Sequence, residues 1–189
     1  MSKHIINLLV SKVRKDCLTN NKKDMKNVIF DLDLTLVDTT CLENARHARN
    51  WGEAYRLIPQ TNLYDGIGSV LDIIKKNNIN TTIVSSSPRS YVEKIVNYYD
   101  IPAKWIVSYH DAKPIKPHPA QMLMALQLMQ VSAKDTISFG DRAIDIAASN
   151  AAGIESVACL WGTKERGALL SSSYNHIIIK PQEILTLIR

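Results

Sequence analysis

The 189-residue chain has no apolar run near the ~20 residues that cross a bilayer. Its apolar stretches, such as Ile177-Ile178-Ile179, are strand-sized. Paired cysteines are missing too, since Cys17, Cys41 and Cys159 form no CxxC and no other paired spacing. That excludes a disulfide framework and points to reduced thiols in a cytoplasmic setting. Nor do His47, His110, His118 and His176 stand at metal-ligand spacings. No internal repeat or low-complexity tract is present, which excludes collagen-like and coiled-coil fibres. The apolar segment Ile5–Val10 is short, interrupted by Asn7 and without a small-residue cleavage site, so it is not read as a signal peptide.

What is there is the composition of a globular domain, 46% hydrophobic and 22% charged, in a length that suits one domain with a small insertion. The net charge of +5 lies wholly in residues 1–26, where seven basic residues face two acids. The remaining body is balanced and carries no nucleic-acid signal. Within the leader, Ile5, Ile6, Leu9 and Val13 share one face of a short predicted helix, and Thr19–Asp24 is a polar linker. The expected division is therefore a basic helical extension over 1–26 and one domain over 27–189.

From residue 27 onward short β-rich runs alternate with helical patterns. The strands are expected at Val28–Leu32, Thr81–Ser85, Trp105–Ser108, Thr136–Phe139, Ser156–Cys159 and His176–Ile179. Helices are expected at Ile67–Lys76, Ser90–Tyr99, Pro119–Met129 and Ala143–Ala151, with a further short one at Pro181–Ile188. Strict alternation with right-handed crossovers predicts an α/β fold, a doubly wound parallel sheet. Residues 38–65 break the alternation. They carry a helical pattern over Cys41–Ile58 and read as a small helical insertion above the carboxyl end of the first strand, where open α/β sheets bind ligands.

Four groups of residues could carry chemistry. Asp31-Leu32-Asp33-Leu34-Thr35 follows the first strand with two carboxylates at i, i+2, whose mutual repulsion calls for a cation or a shared proton. A solvated strand-to-loop turn would use the same residue types. Gly140-Asp141-Arg142-Ala143-Ile144-Asp145 ends another strand and opens a helix, with Asp141 and Asp145 one turn apart; a helix cap is the plainer reading. Ser85, followed by Ser86, Ser87 and Pro88, ends a third strand. In Lys116-Pro117-His118-Pro119, two prolines stiffen the backbone around a lysine. DxDxT and GDxxxD coincide by chance in roughly one sequence per thousand of this length on average composition.

In this order, each at a strand end, these motifs resemble those of the haloacid dehalogenase superfamily, specifically its magnesium-dependent phosphatases, over about residues 27–160. The resemblance implies a Rossmann-like fold with a reduced helical cap. It implies Asp31 as the nucleophile that becomes an aspartyl-phosphate, and Asp33 as general acid and then base, oriented by Thr35. Ser85 and Ser86 would bind phosphoryl oxygens, and Lys116 would offset negative charge. Mg2+ would be held by Asp31, the Asp33 carbonyl, Asp141 and Asp145. Leu34, where relatives often carry Gly or Asn, and Ser86, where many have Asn, are mild departures. The implied substrate is a small phosphorylated metabolite, and a small cap keeps macromolecular phosphoesters within reach. A phosphomutase of the same superfamily and a non-catalytic phospho-binding module are the rival readings.

Taken as one helix, the insertion places Arg46, Arg49, Glu53 and Arg56 on one face, with Gly52 as a candidate break. Arg46 and Arg49 are then candidate substrate contacts, against the plainer reading of a solvated face with one Glu–Arg pair. The insertion has no lysine, which disfavours Schiff-base chemistry on the cap. Tyr91, Tyr98 and Tyr99 read as helix-face packing.

Overall fold

A computed structural model describes residues 27–188. The helix expected in the leader, and Cys17 with it, lie outside the described residues. Six strands form one parallel sheet: β1 (Asn27–Phe30), β4 (Asn80–Val84), β5 (Trp105–Val107), β6 (Thr136–Gly140), β7 (Glu155–Cys159) and β8 (His176–Ile178). Their spatial order is β5-β4-β1-β6-β7-β8. The order reverses between β1 and β6, whose register pairs Phe30 with Phe139. The crevice above that pair is the ligand position of such sheets.

The sheet is buried on both faces, so its strands are apolar at consecutive positions. Val28, Phe30 and Ile83 face one layer with Ile67, Val70 and Ile74 of α3 (Ile67–Lys76) and Val92 and Ile95 of α4 (Arg89–Tyr98). Ile29, Val84 and Val107 face the other, against Met122 and Ala125 of α5 (Ala120–Met129) and Ala148 of α6 (Ala143–Ala151). The Phe30 and Phe139 rings stack at 5.1 Å between centroids, tying the two central strands together beneath the crevice. A last helix, α7 (Arg166–Leu170), packs Leu169 against Ile146 and Leu160. The helix expected at Pro181–Ile188 is a 3-10 helix over Pro181–Thr186.

The insertion is helical but not one helix. A 3-10 turn at Thr40–Leu42 leads into α1 (Glu43–His47), then α2 (Trp51–Leu57) and a second 3-10 turn at Ile58–Gln60. The break falls at Ala48–Asn50 and not at Gly52. Arg49 takes a left-handed backbone (φ 53°), and Asn50 caps α2 by accepting from the Glu53 N–H at 3.2 Å. Two short strands, β2 (Val37–Asp38) and β3 (Asn62–Leu63), pair antiparallel at the base of the insertion.

Candidate active site

Asp31 follows β1 directly and its N–H still bonds to the Phe139 carbonyl at 2.9 Å. The ladder then ends and the chain turns. Leu34 adopts a left-handed backbone (φ 64°), its N–H bonds to Val37 O at 2.8 Å, and Asp33 is thrown to the crevice side. Across the gap, β6 ends at Gly140. A Cβ there would lie 2.4 Å from the Asp145 Cβ, so only glycine lets the first turn of α6 come this close. The Asp145 Oδ2 in turn accepts from the Arg142 N–H at 3.0 Å, which pins that turn.

Three carboxylates therefore converge. Asp31, Asp141 and Asp145 each offer an oxygen within 4.8 Å of the others. Lys116 lies beside two of them, with its Nζ 2.6 Å from Asp31 Oδ1 and 2.6 Å from Asp145 Oδ1. It also donates to the Val84 carbonyl at 3.1 Å. Its backbone is held by Gln121, a fully buried side chain that accepts from the Lys116 N–H and donates to the carbonyls of Ser85 and Ser108. Nothing in the sequence pattern marked Gln121, one of two glutamines on a largely apolar helix.

Burial raises the Asp31 carboxyl to about 7; Lys116 opposes this, and the charges of Asp145 and Asp33 add to it. Burial likewise raises Asp141 to about 8, with Asp31 and Asp145 repelling its charge. Burial alone would lower Lys116, but the two carboxylates reverse this and hold its ammonium above the ordinary lysine value. Six carboxylates (Asp31, Asp33, Glu43, Asp141, Asp145 and Glu165) and four cationic side chains (Arg46, Lys116, Arg142 and Lys164) line the crevice. An all-oxygen donor set with that excess of negative charge fits a hard divalent cation.

Asp33 has separate partners. Arg46 Nη2 donates to its Oδ2 at 2.9 Å, Ser87 Oγ to the same oxygen at 3.2 Å, and Tyr91 Oη to its Oδ1 at 2.6 Å. Tyr91 was expected only to pack, and the structure corrects this, because its ring is in the core while its hydroxyl reaches the carboxylate. Thr35, expected to orient Asp33, instead donates to Asp141 Oδ1 at 3.1 Å. Ser85 Oγ accepts from the Ser87 N–H at 3.1 Å, leaving its own proton for another acceptor. The Ser86 hydroxyl has no partner among the described residues.

Asp31, Asp33, Ser85, Ser86, Lys116, Asp141, Asp145 and Arg46 all line one cleft of about 350 Å3. Arg49 does not. The break before α2 turns it outward, where it is exposed, and Glu53 and Arg56 pair with each other on the surface at 2.7 Å. At the mouth of the cleft, Glu43 of the insertion pairs with Lys164, and Arg142 pairs with Glu165 at 3.3 Å.

A doubly wound sheet with an acidic crevice at its switch point and a short helical cap over it defines a capped α/β enzyme. The chain belongs to the haloacid dehalogenase-like hydrolase family, whose model matches residues 42–159. That match takes in Ser85, Lys116, Asp141 and Asp145; Asp31, Asp33 and Thr35 lie before it and join the set through the geometry. The chain is similar to the pyrophosphatase PpaX of Bacillus mycoides, 26% identical over 131 residues, 66% of this chain and 59% of that protein. A PpaX pyrophosphatase of Oceanobacillus iheyensis is 23% identical over 87% of this chain and 97% of its own. Among solved structures, a predicted phosphoglycolate phosphatase from Haemophilus somnus shares the fold with a TM-score of 0.77 at 19% identity, covering 88% of this chain and 99% of that one. A β-phosphoglucomutase from Clostridium difficile superposes with a TM-score of 0.65 at 20% identity, covering 85% and 93%.

Proposed function

We propose that this protein is a Mg2+-dependent phosphatase that hydrolyses a small phosphomonoester through an aspartyl-phosphate on Asp31. The observation that carries the reading is the placement of Asp31 at the switch point, facing Asp141 and Asp145 with Lys116 against it. A divalent cation held by Asp31, Asp141, the Asp33 carbonyl and Asp145 would supply charge neutralisation for the phosphoryl oxygens. Asp31 attacks phosphorus as the bond to the leaving oxygen breaks, and Asp33 gives that oxygen a proton. The hydroxyls of Ser85 and Ser86 are free to donate to the phosphoryl group, and Lys116 holds the charge of Asp31 next to it. Water then attacks the acyl phosphate, Asp33 takes its proton, and Asp31 is restored. The pyrophosphatase relatives and the phosphoglycolate phosphatase fold-mate support a small phosphorylated substrate. The open cleft and small cap support water as the final acceptor.

A screen of phosphomonoesters with and without Mg2+ tests this. The expected result is metal-dependent release of phosphate, lost by at least about 1,000-fold in Asp31→Asn with the circular dichroism unchanged. Turnover by Asp31→Asn at the wild-type rate overturns it. An isomerised sugar phosphate without free phosphate replaces it with a phosphomutase.

A further inference from the structure

Asp33 stands apart from the Lys116 pairings, and the residues that hold it come from two separate pieces of the fold. Arg46 belongs to α1 of the cap, and Tyr91 is the third residue of α4 in the main domain. Tyr91 is fully buried, with its ring 5.7 Å from that of Trp51 and 5.3 Å from the Arg46 guanidinium carbon. Arg46 Nη1 also donates to Thr39 Oγ1 at 3.2 Å, which steadies the guanidinium on the cap side. Tyr91 then donates to Asp33 Oδ1, and a second nitrogen of Arg46 donates to Oδ2. Asp33 is thus held on both oxygens, on one by a donor from the cap and on the other by a donor from the core.

The two oxygens of Asp33 are not equivalent. Oδ2 is held by Arg46, a side chain 24% exposed at the cleft, and by the rotatable hydroxyl of Ser87. Both can turn to a substrate. Oδ1 is held by Tyr91, which is locked in the core and has nowhere to turn. An acid that gives up a proton and later takes one back at the same place gains from presenting the same oxygen both times.

We propose that Tyr91 is a positioning residue for Asp33: its hydroxyl occupies Oδ1, so that Oδ2 alone carries the proton to the leaving oxygen and receives it from water. The assignment rests on the roles proposed above for Asp31 and Asp33. As the phosphorus–oxygen bond of the substrate breaks, the proton passes from Oδ2 to the departing oxygen. As water attacks the acyl phosphate, its proton returns to Oδ2. The proton of Tyr91 stays on Tyr91 throughout. Without the hydroxyl, Oδ1 loses the one side-chain donor the structure gives it, and the carboxylate can rotate about its last bond.

Tyr91→Phe keeps the ring, the core packing and the contacts with Trp51 and Arg46. The test is single-turnover phosphorylation of the full-length protein with Mg2+, using p-nitrophenyl phosphate and an alkyl phosphate. p-Nitrophenolate leaves without a proton, whereas an alkoxide needs one. With the alkyl ester the phosphorylation rate of Tyr91→Phe should fall by about 10- to 100-fold, within the range of general acid catalysis. With the p-nitrophenyl ester it should change by less than about 3-fold, and KM should hold for both. The thermal midpoint should stay close to that of the wild type. Equal losses on both esters, or no loss on either, overturn the assignment while the phosphatase reading stands. Asp33→Asn separates the two: it should show the same selectivity more strongly. Failure of the wild type to release phosphate from either ester, or an Asp33→Asn variant blind to the leaving group, brings down the phosphatase reading and the role of Tyr91 with it.

Discussion

The Lys116 ammonium lies 2.6 Å from Asp31 Oδ1, and both side chains are buried. Asp145 lies equally close to the same nitrogen, so one buried cation serves two carboxylates. Removing it leaves an uncompensated cluster, and breaking a buried ion pair costs about 3–5 kcal/mol unless the acids take up protons instead. Lys116→Met is therefore expected to be destabilised, and more so at about pH 8 than at about pH 6, because protonation relieves the repulsion at the lower pH. Its phosphatase rate should fall by at least about 100-fold. Thermal melts at both pH values and a phosphate-release assay check this. A variant as stable as the wild type at the higher pH would show that the pair does not hold the crevice together.

Gly140 and Gly68 should respond oppositely to the same substitution. At Gly140 an added methyl carbon meets Asp145 Cβ at 2.4 Å, whereas at Gly68, on α3, nothing lies within 4 Å. Gly140→Ala must push α6 away from the end of β6, at about 1–3 kcal/mol, and should weaken Mg2+ binding because Asp145 moves with the helix. Gly68→Ala should gain about 0.5–1 kcal/mol from helix propensity alone. Denaturant titration of both variants, with a Mg2+ titration of the first, reads the difference. The two changes should have opposite signs; loss of stability in Gly68→Ala would contradict the open space beside it.

Much of this was legible in the sequence, for reasons that the residues show. The helix at Ile67–Lys76 and the one at Ala143–Ala151 fall at the expected bounds because their apolar spacing is carried by buried residues. Strand ends could be placed to within two residues because carboxylates and hydroxyls close apolar runs near Asp31, Ser85 and Asp141; the first strand, expected to reach Leu32, ends at Phe30. The cap was misread where a helical period ran through a break: Arg46 and Arg49 share a face only if the helix is continuous. Asn50, a good N-cap type three residues before Glu53, was the available signal for a new helix. Tyr91 was hidden because it keeps helical register with Ile95 and reads as apolar; its hydroxyl function depends on the turn that brings Asp33 over α4. β2 and β3 are two residues each, below any alternation pattern.

Leu34 holds a backbone conformation (φ 64°) that side chains with a Cβ enter at a cost of about 1–2 kcal/mol. Asparagine tolerates that region better than leucine. Leu34 is only half-buried, so the exchange gives up little packing. Leu34→Asn should therefore raise the thermal midpoint by about 2–4 °C. A lowered midpoint would mean that the leucine side chain contributes more at the cleft edge than its backbone loses.

The acid cluster also sets a pH dependence whose sign can be worked out. Asp31 is raised to about 7 and Asp141 to about 8, both from an ordinary value of 3.8. Between these limits the folded metal-free protein holds protons that the unfolded chain has released. Its stability therefore falls as pH rises, with the penalty absent below about 3.8 and complete once pH has passed about 8. A divalent cation held by this cluster would compete with those protons, so it would bind more tightly and stabilise more at high pH. The thermal midpoint of the chelator-treated protein should drop from about pH 6 to about pH 9, and millimolar Mg2+ should raise it more at the upper end. Adding Mg2+ to the metal-free protein near neutral pH should release protons, which an indicator dye in weak buffer detects. Midpoints that ignore both pH and Mg2+, with no proton release, would mean that Asp31, Asp141 and Asp145 are not a cation site.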